Sequence, residues 1–167
     1  SPSGDTFTVK AYNYYRPYRE LYLAPEFFPY NTDWYVFAKF IEDREELTTP
    51  ASNGEEWEDL RLGFIEFEYK GQTLRVAVYE YDDFADEDGE VQLRFADQSP
   101  LTYPGGRYLY VANKDIKNPE GFWVDFNYAF DPPCAWSQTY ACSLARFDEV
   151  LPVEMDAGYI HPLHDIY

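Results

Sequence analysis

The sequence of 167 residues predicts a single all-β domain, an antiparallel sandwich or partly open barrel of about seven to eight strands with one disulfide-pinned loop. Three observations carry this. Aromatic residues make up 20% of the chain, with 17 Tyr and 13 Phe, and these side chains fit a pleated, half-buried surface better than a helix. Short apolar segments recur between Pro, Gly and Asn-Gly punctuation. No segment shows a convincing amphipathic helical period. Hydrophobic residues at 46% suffice for a buried core, and the length suits one domain spanning 1–167, with residues 1–6 read as a loose N-terminus and 159–167 as a mobile tail.

The elements follow in order. Phe7, Val9 and Ala11 alternate against Thr8, Lys10 and Tyr12, which predicts a strand over Phe7–Tyr15 or an arm that pairs elsewhere. Pro17, Pro25 and Pro29 exclude a long helix over Arg16–Asn31. Trp34–Ile41 reads as a buried strand, and the polar stretch Glu42–Glu58, with Pro50 and Asn53-Gly54, as an exposed loop. Leu60–Tyr69 and Thr73–Tyr81 form a hairpin around Lys70-Gly71, where Gly71 supplies the positive φ of a tight turn. In the first arm the apolar face slips from Leu60, Leu62 and Phe64 to Ile65, Phe67 and Tyr69, which predicts a β-bulge near Gly63 or Phe64. Asp82–Glu90 is an acidic loop. Val91–Phe95, Arg107–Val111, Gly121–Phe126 and Leu151–Asp156 read as further strands.

Charge excludes some functions. With 31 acidic against 13 basic residues the net charge is −18, a field that repels nucleic acid and anionic membranes. It suits cationic ligands, solubility or a saline habitat. No apolar run reaches the length of a transmembrane helix. The single Met is Met155, and the opening Ser1-Pro2-Ser3-Gly4-Asp5 reads like the start of a processed, extracytoplasmic chain.

The residues of the C-terminal half carry the chemistry. Cys134 and Cys142 lie eight apart, and with only His161 and His164 as further soft ligands, a disulfide is expected rather than a metal site. Closure of so short a loop is worth at most about 2.5 kcal/mol, so its expected role is local, pinning Pro132-Pro133-Cys134-Ala135-Trp136. Gly105-Gly106-Arg107 reads as an anion cradle or as a tight turn with Arg107 paired to Asp97 or Asp125. Asp125 and Asn127, two apart on an expected strand, face one side. With Asp97 and Arg107 they form either a structural polar cluster or an acid–base pair of the kind that hydrolyses glycosides. His161 and His164 read as surface residues, which argues against a nucleophilic triad. Asp82, Asp86 and Asp88 are weak calcium candidates whose spacing departs from an EF-hand, and no other cofactor is implied.

Thr102-Tyr103-Pro104-Gly105-Gly106-Arg107-Tyr108-Leu109, then Asp125-Phe126-Asn127-Tyr128-Ala129-Phe130-Asp131-Pro132-Pro133-Cys134-Ala135-Trp136, Cys142, Leu151-Pro152 and Ala157-Gly158 resemble the motifs of the uncharacterised bacterial family DUF-1684. The resemblance is closest over the C-terminal third. Pro104, Phe130, Asp131 and Trp136 depart from it, standing where the family has Gly, Tyr, Asn and Tyr. It implies a secreted or lipid-anchored protein and supplies no activity.

Two functions therefore compete. One is a secreted, non-enzymatic module that binds an extracellular protein, a glycan or copies of itself, the last through the Phe7–Tyr15 strand, with Tyr103, Arg107, Asn127 and Trp136 as binding candidates. The other is a carboxylate-dependent hydrolase using Asp97, Arg107 and Asp125.

Overall fold

The computed structural model describes residues 25–161, so the Phe7–Tyr15 arm and His164 lie outside the described residues. The fold is all-β. A six-stranded sheet contains β2 (Tyr35–Pro50), β3 (Glu56–Tyr69), β4 (Gln72–Glu80), β5 (Glu90–Phe95), β6 (Arg107–Ala112) and β7 (Phe122–Asp125). Its order is β6-β5-β4-β3-β2-β7, an antiparallel meander with β7 returning beside β2. The sheet curls into a nearly closed barrel. Its two ends meet where Tyr108 on β6 and Phe130 beyond β7 exchange two backbone hydrogen bonds, of 2.9 and 3.0 Å. A short second sheet pairs β1 (Glu26–Phe27) with β8 (Tyr159–Ile160). One helical turn, α1 (Asn113–Ile116), follows β6.

The expected hairpin is present. Lys70 and Gly71 take φ of 49° and 80°, the double positive turn that matches strand twist. The phase slip appears as a bulge. Pairing of β3 with β4 shifts between Arg61 and Gly63, and pairing with β2 shifts between Glu42 and Glu45. This places Leu62, Ile65 and Phe67 in one core despite the broken alternation. Phe126 stands at the centre of that core, 5.3 Å from both Phe67 and Phe95, while Trp34 stacks on Tyr69 at 4.1 Å.

Several expectations are corrected. Glu42–Glu58 is not a loop: β2 continues to Pro50, β3 begins at Glu56, and the turn is confined to 51–55. The stretch is polar because Glu42–Glu46 are exposed on both faces of the strand, and because the buried position further on is itself polar. Thr49 there is fully buried and donates to Asp59 at 2.5 Å. Trp34–Ile41 is not buried throughout, since Tyr35, Phe37 and Ile41 face solvent. Leu151–Asp156 forms no strand. Leu151 and Met155 are buried, as their alternation suggests, but the segment joins no ladder: a parallel bridge pairs Ala96 with Val150 just before it, and Gln98 N donates to the Val153 carbonyl at 2.9 Å. The start of the expected mobile tail, Tyr159–His161, is fixed: β8 pairs with β1, and the His161 amide donates to the Leu101 carbonyl at 2.8 Å.

Cys134 and Cys142 are free thiols rather than the expected disulfide. The Cys142 sulfur accepts a hydrogen bond from the Cys134 amide at 3.3 Å. Backbone bonds pin the loop instead. Ser52 N donates to the Cys142 carbonyl at 3.0 Å, and Leu144 N to that of Pro50 at 2.7 Å. Spacing of eight brings two cysteines close, but other hydrogen bonds already hold this loop in place. Burial pushes the Cys142 thiol up to about 12, with the Cys134 side chain adding to the shift. Cys142 is therefore expected to resist iodoacetamide at pH 8 in the folded protein and to react after unfolding, read by peptide mass spectrometry. Rapid labelling of native Cys142 would contradict its burial.

Candidate functional site

The residues singled out in the sequence separate into three places. The first is a buried ion pair. The Gly105-Gly106 turn closes through Gly106 N to the Tyr103 carbonyl at 3.1 Å and delivers Arg107 into the barrel end. Arg107 Nη2 meets Asp97 Oδ2 at 2.7 Å, with side-chain exposures of 0% and 1%. The guanidinium also donates to the carbonyls of Met155 (3.1 Å) and Ala157, so it grips the 151–158 segment that covers this end. Asp97 Oδ1 accepts from the amides of Ser99 at 2.8 Å and Met155 at 3.2 Å, and Thr102 bonds both carboxylate oxygens. Burial pushes the Arg107 guanidinium below its ordinary value, and Asp97 opposes that shift. Neither partner faces solvent where a substrate would sit.

The second place was missed by sequence reasoning. His161 Nδ1 lies 2.8 Å from Asp131 Oδ2, and its ring is only 18% exposed. Tyr103 and Trp136 flank it, with ring centroids 4.9 and 6.2 Å away. Two of the expected binding aromatics thus converge on a histidine that the sequence placed in a mobile tail. The partner, Asp131, is thirty residues away, and no local pattern links the two. The arrangement fastens the C-terminal segment to the Pro132-Pro133 turn.

The third place is exposed. Asp125 ends β7, and Asn127 sits in the one-turn 3₁₀ helix that follows, so the two do not share a strand. Asp125 Oδ1 instead caps that turn, accepting from Asn127 N at 3.0 Å and from its amide side chain at 2.7 Å. Asn127 also exchanges hydrogen bonds with the Asn31 backbone, of 2.8 and 3.0 Å. The second oxygen of Asp125 accepts from the Tyr30 hydroxyl at 3.1 Å. Beside this polar cluster the outer face of β2 and β7 is aromatic. Tyr35 stacks on Trp123 at 4.9 Å with planes 20° apart, and Phe37 meets the same indole edge-on at 5.4 Å. Trp123 is 58% exposed, and Tyr128, on the turn that Asp125 caps, is 71% exposed. The signal for this face was present in the sequence. Tyr35 and Phe37 alternate with Val36 and Ala38, but a strand apolar on both faces reads as buried.

Asp97 and Asp125 thus belong to separate clusters with no hydrogen-bonding residue in common, and no cleft is shared between them. In the acidic loop, Asp82 and Asp86 turn onto the amides of Glu90 and Asp88, each at 3.0 Å. No group of three or more His, Cys, Asp or Glu among the described residues is placed to hold a metal ion. None of the described helices is long and apolar enough to cross a membrane.

Residues 10–159 match a family described as protein of unknown function, DUF1684, so the likeness extends well beyond the C-terminal third. A solution structure of an uncharacterized protein from Haloarcula marismortui is similar in fold. Its TM-score is 0.65 at 23% identity, covering 87% of this chain and 81% of that one. None of the curated proteins matches the chain.

Proposed function

We propose that this chain, which belongs to the DUF1684 family, is an extracytoplasmic, non-enzymatic binding module that takes a neutral glycan on the outer face of β2 and β7. The observation that carries the reading is the exposed Tyr35–Trp123 stack with Phe37 edge-on to the same indole, an apolar wall on the solvent side of the sheet. Sugar rings present an apolar face to such a wall and hydroxyls at their edge. Here Asp125 and the phenols of Tyr30 and Tyr128 stand beside the wall to receive those hydroxyls. Aromatic side chains supply such area at low entropic cost, and a tip that hydrogen-bonds adds specificity. The net charge of −18 favours neutral over acidic glycans. Placement outside the cytoplasm rests on the family resemblance in the motifs around Arg107 and Cys134.

The test is titration of the full chain with a panel of neutral oligosaccharides, read by tryptophan fluorescence and calorimetry. One member of the panel is expected to bind saturably. Trp123→Ala should weaken it by roughly 2 kcal/mol, about thirtyfold, the scale of a tryptophan hot spot. Asp97→Asn, if folded, should leave the affinity unchanged. A panel without a binder overturns the proposal. So does a concentration-dependent dimer that Trp123→Ala converts to monomer, which would assign the face to self-association.

A further inference from the structure

A second candidate site shares no lining residue with the aromatic wall. Between β2, the acidic loop and α1 a groove of about 420 Å³ opens, within the size range of small-molecule pockets. Its apolar lining comes from Phe40, Phe84 and Ile116, and its rim carries Lys39, Lys117 and Asn118. We propose that this groove binds an amphipathic organic anion, an aromatic or alkyl body bearing a carboxylate or sulfonate.

The charge arrangement decides the sign of the ligand. The molecule as a whole repels anions, at −18. The groove nevertheless places two lysines, Lys39 and Lys117, on its lining. Lys117 is held over the Phe84 ring, its ammonium 4.6 Å from the centroid, so a positive charge is fixed beside the apolar lining. Neither Lys39 nor Lys117 forms an ion pair among the described residues. Glu66, opposite Lys39 across the β2–β3 ladder, is engaged by Arg75 at 3.0 Å. The lining's own carboxylate, Glu42, pairs with Arg44 at 2.9 Å, and Arg44 itself lies 5.4 Å from the Phe84 ring. The acidic residues flanking Phe84 turn onto their own loop, with Asp83 accepting from Ala85 N at 2.9 Å and Asp86 from Asp88 N at 3.0 Å. Two ammonium groups without an ion-pair partner among the described residues, beside three apolar side chains, favour a ligand with a charged end and a hydrophobic body. A purely ionic ligand would leave the lining unused, and a neutral one would leave the lysines unused.

The experiment uses naphthalene-2-sulfonate as the probe and 2-naphthylmethanol as its neutral counterpart, each titrated into the full chain and followed by amide chemical shifts. Saturable shifts confined to Phe40, Ile41, Lys117, Asn118 and their neighbours support the site, with the neutral compound at least tenfold weaker. Lys39→Gln and Lys117→Gln, both surface changes, should each weaken the sulfonate roughly fivefold. Trp123→Ala should not alter it, which separates this result from the fate of the glycan proposal. Shifts scattered over the surface, equal affinity for the neutral compound, or unchanged affinity in both lysine variants overturn the inference.

Discussion

Arg107→Ala is expected to destabilise the protein by about 3–5 kcal/mol, the scale for breaking a buried ion pair by removing one partner. The side chain is fully buried and supplies hydrogen bonds to Asp97, Met155 and Ala157. Its loss strands the Asp97 carboxylate at 1% exposure and frees two carbonyls of the segment that covers the barrel end. Neither consequence can be relieved by water without opening that end. Urea denaturation followed by tyrosine and tryptophan fluorescence reads the change directly. Arg107→Lys should recover only part of the loss, because a single ammonium cannot span three acceptors held in the plane of a guanidinium. The double change Arg107→Met with Asp97→Leu should not recover stability, because it removes both charges but leaves the amides of Ser99 and Met155 and the Thr102 hydroxyl without their acceptor. A shift below about 1 kcal/mol for Arg107→Ala would place the pair among surface interactions and contradict its burial.

That pair shows what the sequence makes legible. The Gly105-Gly106 turn before a strand, and Asp97 or Asp125 as the partner of Arg107, follow from local chemistry. The choice of Asp97 over Asp125 does not. It depends on the strand pairing, which sets the end of β5 beside the start of β6 and places Asp125 opposite Tyr35 on β2. The same limit hides His161, whose partner Asp131 comes close where Tyr159 N donates to the Ala129 carbonyl at 2.9 Å.

Polar interiors mislead sequence reading in a different way. Arg94 is buried, bonds Asp59 at 2.8 Å and Gln92 at 3.0 and 3.2 Å, and stacks on Tyr79 with its guanidinium 4.0 Å from the ring. Tyr79 in turn donates to Glu149. Because Glu42–Glu46 are exposed on both faces and the buried Thr49 bonds Asp59 of this network, the Glu42–Glu58 stretch lacks the alternation that marks a half-buried strand and reads as a loop. Phe37 and Trp123 mislead in the opposite sense, as aromatic residues in strands that look like core and stand in solvent. In both cases hydropathy reports what a side chain prefers, while the neighbours brought by topology decide what it gets. The cysteines belong to the same class. Their spacing constrains proximity, not bonding, and the backbone bonds to Pro50 and Ser52 already fix the loop.

The bulge, by contrast, was legible because it breaks a period, and it predicts a large effect. Gly63→Ala is expected to destabilise the fold by about 3 kcal/mol or more. Gly63 sits where the pairing of β3 shifts against both its neighbours, with φ of 153°. A Cβ there would lie 2.1 Å from the Ile41 carbonyl oxygen and 2.9 Å from the Asp43 amide nitrogen. Both are backbone atoms, so no side-chain rotation relieves the clash and the two central strands must part. Leu62 and Ile65, fully buried on either side, would lose their places in the core together. Gly71→Ala provides the comparison. Its φ of 80° is also positive, but nothing lies within 4 Å of the added carbon. That change carries only the left-handed penalty, about 1–2 kcal/mol. The difference between the two in urea midpoint, at equal slope, therefore isolates the steric part from the conformational part. Equal effects at the two glycines would mean that β2 and β3 separate freely at the bulge, and the phase slip would then be a tolerance of the fold rather than a requirement.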